Sequence, residues 1–390
     1  MNIFLYFCSH NEKSFQMTTP FIYGISADKE HFTDRESETQ RLVMNFTNGI
    51  NTMLISPRRW GKTSLVNHVA ELLANNKKLA IVRMDAFACR TPEDFYRMFA
   101  TEIIKQTYIK AEEWLTNAKR FFSSLTPTLS ISDDGTNTFS FSIVPTKQEF
   151  SDEVLNLPEK IAQEKDIHIV VCIDEFQQIG EFSNALTFQK KLRSVWQHQH
   201  NSSYCLYGSK RHLLMDMFGK RSYPFYKFGD ILLLQRIPLS YWIEYIRPRF
   251  ADSGKSISDE IIGDIYTYVD GNSSYMQQLC WLVWVNTEHI ATKSTLEKAQ
   301  QDLLHQNHAL FIEQINGLST YQIRFLQAMT AEMTAMINNK TVIEQFGLGS
   351  TSNIAIIKKA LQKKELIEIE GKEIKFADPL FPHWFRTMLK

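Results

Sequence analysis

The chain has 390 residues and carries 43 Lys and Arg against 43 Asp and Glu, so its formal net charge is zero. That length supports two or three domains with cores of their own, and the even balance removes any chain-wide attraction to nucleic acid or to an anionic bilayer. No run approaches the ~18 consecutive apolar residues of a spanning helix, so no membrane partner is expected. Cys8, Cys89, Cys172, Cys205 and Cys280 lie far apart without a CxxC pair and read as reduced, buried thiols of a cytoplasmic protein.

Residues 1–17 read as an N-terminal extension. Ile3-Phe4-Leu5-Tyr6-Phe7-Cys8 is apolar but short and has no basic residues before it, which makes it a poor signal peptide, and Met17 opens a more usual beginning. From residue 18 to 237 short apolar runs alternate with amphipathic helical stretches, the pattern of a parallel α/β sheet covered on both faces. Strands are expected at Thr52 to Ile55, Leu79 to Met84, Ile167 to Ile173, Tyr204 to Tyr207 and Ile231 to Leu234. Between the second and third, Phe95 to Leu115 reads as one helix. The alternation over 126–144 reads as a hairpin insertion turning at Asp134-Gly135.

The first strand runs into Ser56-Pro57-Arg58-Arg59-Trp60-Gly61-Lys62-Thr63 and then Ser64-Leu65-Val66. Strand, loop and helix come in the order of the phosphate-binding GxxxxGK[ST] motif, in which a helix N-terminus offers unpaired N–H groups to phosphate oxygens. Lys62 is expected to reach the β- and γ-phosphates and the Thr63 hydroxyl to hold magnesium. Ser56 stands where the motif has its first glycine and is expected to restrict the entrance of the loop and weaken the site. The third strand delivers Asp174 and Glu175 to its C-terminal end, Asp174 for the metal and Glu175 for the attacking water. No Asn-Lys-x-Asp guanine motif is evident, which favours ATP over GTP.

Residues 238–316 are helical in period throughout and read as a helical lid. Over 317–390 three helices precede an alternating pair of strands around Gly371, which is a winged-helix pattern. Lys358, Lys359, Lys363 and Lys364 favour DNA there. Glu365, Glu368, Glu370 and Glu373 oppose it, so docking within the chain or on a protein partner ranks ahead of DNA.

With these residues in place the chain resembles the archaeal-type ATPase family of the STAND branch of AAA+ P-loop ATPases. The resemblance rests on Phe32-Thr33-Asp34-Arg35-Glu36-Ser37-Glu38, similar to the family's FxxRxxE box, the loop Pro57-Arg58-Arg59-Trp60-Gly61-Lys62-Thr63, Ile173-Asp174-Glu175-Phe176-Gln177, Tyr207-Gly208-Ser209, Asp270-Gly271-Asn272 with Gln277-Gln278-Leu279, and Asp378-Pro379-Leu380-Phe381 with Trp384-Phe385-Arg386. It implies Phe32 and Arg35 near the base and sugar, and Ser209 in the sensor position beside the γ-phosphate. Ser273 stands where relatives often have proline. No arginine finger is assigned; Lys210 and Arg211 are the candidates, beside their reading as a solvated helix start. The whole implies a magnesium-ATP-dependent switch that relays nucleotide state to the winged helix, with a protein partner. The alternative is a nucleotide-responsive DNA-binding regulator or scaffold with little hydrolysis.

Overall fold

A computed structural model describes residues 19–25, 31–108, 110–121, 125–131, 137–143, 150–371 and 373–388. The N-terminal extension and the Asp134-Gly135 turn lie outside the described residues.

The strands of the main sheet are β1 (Thr52–Ile55), β2 (Leu79–Asp85), β5 (His168–Asp174), β6 (Ser202–Gly208) and β7 (Asp230–Leu233), with β3 (Leu125–Ile131) and β4 (Asn137–Ile143) forming the hairpin between β2 and β5. The five pair in parallel in the order β2-β5-β6-β1-β7. β6 therefore separates the loop strand β1 from the acid strand β5. Successive residues of the central strands enter opposite cores: Ile55, Val171 and Ile173 belong to one, and Leu54, Val170 and Cys172 to the other. That is why these strands read as unbroken apolar runs.

Helices α1 (Glu36–Thr47) and α2 (Lys62–Leu73) cover one face, and α3 (Pro92–Thr107) and α7 (Ala185–Trp196) help to cover the other. The single helix expected over Phe95 to Leu115 is two, α3 and α4 (Ala111–Phe121). The chain turns extended at Tyr108, whose ring is buried under the Lys165 ammonium at 3.6 Å and whose carbonyl accepts from Trp114 Nε1 at 2.7 Å. No Pro or Gly marks that break, so tertiary packing makes it. The hairpin lies against α3 and α4. Short helices α5 (Phe150–Leu155) and α6 (Leu157–Lys165) lead into β5, and α8 (Arg211–Gly219) follows β6.

The helical stretch holds α9 (Leu239–Asp252), α10 (Asp259–Tyr268), α11 (Ser273–Asn286) and α12 (Lys293–Ile315). The winged helix follows as α13 (Thr320–Thr330), α14 (Lys340–Gln345), α15 (Thr351–Lys363), the hairpin β8 (Ile367–Glu370) with β9 (Glu373–Phe376), and α16 (Phe381–Met388). The helical stretch and the winged helix share one apolar core: Trp242, Met276 and Leu279 join Phe325, Ile354 and Trp384 in a continuous cluster. Trp384 Nε1 donates to His308 Nδ1 at 2.9 Å across that junction, and Phe311 meets Phe381 edge-on with centroids 5.6 Å apart. Cys89, Cys172, Cys205 and Cys280 are free and buried, as their surroundings in the sequence imply. Among the described residues no helix is long and apolar enough to cross a membrane.

Candidate functional site

A cleft of about 690 Å³ opens where β1, β5 and β6 end, at the edge of a parallel sheet where ligands bind. β1 feeds directly into the loop, and α2 begins at Lys62. The left-handed backbone of the loop is at Arg59 (φ 64°) and Gly61 (φ 86°), and Ser56 needs none. The expected restriction by Ser56 is therefore absent. Instead its hydroxyl, 1 % exposed as a residue, donates to the Pro57 carbonyl at 3.1 Å and accepts from Lys62 Nζ at 3.2 Å. Gly61 has open space around a would-be Cβ, so only its dihedral calls for glycine. Ser56→Gly is thus expected to lower stability by about 1 kcal/mol, through greater freedom of the unfolded chain and the lost hydrogen bond. A urea midpoint equal to or above wild type would show that the loop prefers glycine after all.

Lys62 Nζ also donates to the Ser56 and Pro57 carbonyls at 3.1 and 2.8 Å. Burial pulls its ammonium down to about 8, against the opposing charges of Asp174 and Glu175. Thr63 Oγ1 donates to Asp174 Oδ2 at 2.8 Å, joining the helix start to the end of β5. Burial raises Asp174 to about 6, and the charges of Glu175 and Asp85 add to it. Asp85 closes β2 directly opposite Asp174 in register and lines the same cleft. The sequence reading missed it, because only strand register brings it opposite Asp174.

Glu175 takes a left-handed backbone (φ 50°). Its carboxylate accepts from Ser209 Oγ at 2.9 Å and from Gln177 Nε2. Gly208, the last residue of β6, admits this arrangement: a Cβ there would lie 1.9 Å from Gln177 Oε1 and 3.1 Å from the Glu175 Cα. Ser209 also accepts from Arg58 Nε at 3.3 Å.

Two family models match the sequence, the KAP family P-loop domain over residues 60–189 and a probable winged helix domain over residues 309–387. A Walker-type ATPase of Pyrococcus abyssi superposes with a TM-score of 0.62 at 18% identity, over 94% of this chain and 99% of that one. The ORC2 protein of Aeropyrum pernix, in ADPNP–ADP complexes, does so with a TM-score of 0.55 at 15% identity, over 93% of this chain and 97% of that one. The chain carries a P-loop NTPase domain followed by a C-terminal winged helix. No curated protein matches it.

In this NTPase Phe32 and Arg35 line the cleft, and each is held by neighbouring side chains or carbonyls. Arg35, 3 % exposed, bonds Glu38 at 2.9 Å, the Gln235 carbonyl at 2.5 Å and the Trp60 carbonyl at 3.2 Å. The Arg and Glu of the FxxRxxE box are thus an ion pair that ties the loop to the chain after β7. Phe32 stacks on His68 of α2 with centroids 4.4 Å apart.

Arg59 turns the other way. Its Nη1 donates to the Tyr275 hydroxyl at 2.6 Å and lies 3.8 Å from Asp378 Oδ2, and that hydroxyl in turn donates to Asp378 at 2.6 Å. The Arg59 carbonyl accepts from Ser274 N at 3.2 Å. One loop residue therefore touches both the start of lid helix α11 and the Asp378-Pro379 turn before α16. Asn272 caps α11 by accepting from Tyr275 N at 3.2 Å, which places Ser273 at the first helical position. Proline is favoured there because its missing N–H is not needed, and serine fills the position without strain. Lys210 is held by Glu181 at 2.9 Å and Glu365 at 3.4 Å. The Arg59 network and Asp85 had no signal in local sequence, since each depends on partners from distant segments; Gln177 belongs to the strand-end motif, and the structure adds its bond to Glu175.

The donor set fits magnesium. Two oxygens, Thr63 Oγ1 and Asp174 Oδ2, stand at the loop with a further carboxylate on either side, and hard oxygen ligands completed by phosphate and water are what this ion takes. Among the described residues no group of three His, Cys, Asp or Glu forms a self-sufficient metal site.

Proposed function

We propose that this NTPase is an ATP-binding and ATP-hydrolysing molecular switch of the STAND type, in which nucleotide state is relayed to the winged helix. The observation that carries the reading is Arg59, a residue of the phosphate loop itself bonded to Ser274, Tyr275 and Asp378. A nucleotide that reorders the loop must act on those bonds. Because lid and winged helix share one core, they respond together as one body against the sheet domain.

In this reading the loop N–H groups and Lys62 bind the phosphates, with Lys62 leaving its carbonyl partners to do so. Thr63 and Asp174 would hold magnesium, which when bound supplies positive charge to the phosphate oxygens. Glu175 orients and polarises the attacking water, and Ser209 and Gln177 hold its carboxylate in place. Gly61 and the loop residues Arg58 and Trp60 with Ser64 complete the wall, Pro57 serves through the carbonyl that holds Lys62, and ORC2, a protein of the same fold, is described with ADPNP and ADP.

The DNA-regulator reading takes second place. Lys359, Lys363 and Lys364 are exposed, but Lys358 is half-buried, Ser350 is used in capping α15, and Glu365 at the root of the wing is turned toward Arg58. Calorimetric titration with magnesium-ATP, followed by phosphate release from the same sample, tests the primary reading. Binding with measurable turnover is expected, and the absence of binding to either ATP or ADP overturns it.

A further inference from the structure

We propose that Arg58 is the catalytic arginine of this site, acting within its own chain on the γ-phosphate, and that Glu365 of the winged helix withholds it in the conformation seen here. This rests on the ATP-hydrolysis reading above and deepens it.

The cleft offers few cations for charge that develops on a transferring phosphoryl group. Lys62 belongs to the ground-state cradle. Arg59 is committed to Tyr275 and Asp378, and the buried Arg35 to Glu38 and the Gln235 and Trp60 carbonyls. Arg58 differs from all three. Its side chain is 61% exposed, and its ion pair is a single contact of 3.3 Å, Nη2 to Glu365 Oε2. A half-exposed pair of this kind is weak and exchanges readily for a stronger anion. Its Nε already sits 3.3 Å from Ser209 Oγ, and that same oxygen donates to Glu175 at 2.9 Å. The guanidinium therefore stands a single hydroxyl, and two hydrogen bonds, from the carboxylate assigned to the water, on the side of the cleft where the terminal phosphate must lie. Its charge also reaches the cradle, because it helps to lower the Lys62 ammonium.

Glu365 has the position of a restraint. It follows the end of α15 in a left-handed conformation (φ 58°), where glycine or asparagine is the usual choice and a glutamate is unfavourable for backbone reasons. Its two carboxylate oxygens bridge Arg58 and Lys210 across a cavity of about 340 Å³ between the loop, α8 and the wing. A residue type disfavoured by the backbone here makes both of these contacts with its side chain. Movement of the lid and winged helix away from the sheet domain takes Glu365 with it and frees Arg58.

The step is hydrolysis. The water oxygen bonds to the γ-phosphorus as the bond to the β,γ-bridging oxygen breaks, ADP leaves with that electron pair, and the water proton passes through Glu175 to the products. Arg58 donates hydrogen bonds to the oxygens that gain charge.

Four full-length chains separate this role from a structural one: wild type, Arg58→Ala, Glu365→Gln and the double variant. Arg58→Ala is expected to lower kcat by about 10²- to 10³-fold with KM within about threefold, as loss of a transition-state contact requires. Glu365→Gln is expected to raise kcat several-fold, and to have no effect once Arg58 is alanine. A kcat for Arg58→Ala within threefold of wild type, or an equal effect of Glu365→Gln in both backgrounds, overturns the proposal. Binding of ADP with aluminium fluoride supplies a second readout. Arg58→Ala should bind ADP as wild type does but the fluoride complex at least tenfold more weakly, and equal affinity for that complex overturns the assignment even where turnover is immeasurable. Failure of the wild type to bind ADP at all removes the nucleotide reading and this proposal with it.

Discussion

Lys62→Ala is expected to reduce magnesium-ATP affinity by about 10²-fold or more, because it deletes an ammonium positioned for two phosphate groups and each charge-assisted hydrogen bond contributes about 1.5–3 kcal/mol. The same change leaves the Ser56 and Pro57 carbonyls and the Ser56 hydroxyl without the donor they share. Some loss of loop order therefore accompanies the loss of charge. Isothermal titration with a non-hydrolysable ATP analogue, paired with the urea midpoint of each chain, separates the two. Unchanged affinity in a folded variant would mean that phosphates do not bind in this loop, and the proposed site would be lost.

Glu175→Gln is expected to keep ATP binding and to slow hydrolysis by about 10²- to 10⁴-fold, the range ascribed to a positioned general base. The amide fits the space and can still accept from Ser209, and the Thr63 to Asp174 pair is untouched, so the phosphates and the metal site persist. Only the negative charge that polarises water is gone. Phosphate release under single-turnover conditions measures this directly. Turnover within threefold of wild type would move the base elsewhere, and Asp85, the neighbouring carboxylate on the same sheet edge, would be the first to test.

Both predictions concern residues that are visible from short stretches of sequence. Lys62 and Thr63 follow an apolar strand and open a helix, and Asp174 with Glu175 closes another strand, so nearest-neighbour pattern alone places them at one edge of a parallel sheet. The winged helix is legible for the same reason, with three amphipathic helices and an alternating pair of strands around Gly371 (φ 63°). Local pattern cannot report backbone strain that depends on neighbours. It put the cost of the loop at Ser56, whereas the left-handed residues are Arg59 and Gly61. Nor does it see a helix broken by burial of Tyr108, or a third carboxylate, Asp85, brought opposite Asp174 only by strand register.

The acidic residues of the wing show the difference most plainly. As sequence they are charge set against neighbouring lysines, and they argue only about DNA. In the fold Glu365 meets Arg58 and Lys210 from the sheet domain, because α15 ends beside the phosphate loop. Strand positions, loop chemistry and domain succession were set by periodicity and residue type, which act over a few neighbours. The facing of loop and wing was decided by packing of lid and winged helix into one apolar core, a sum over contacts between segments far apart in the chain.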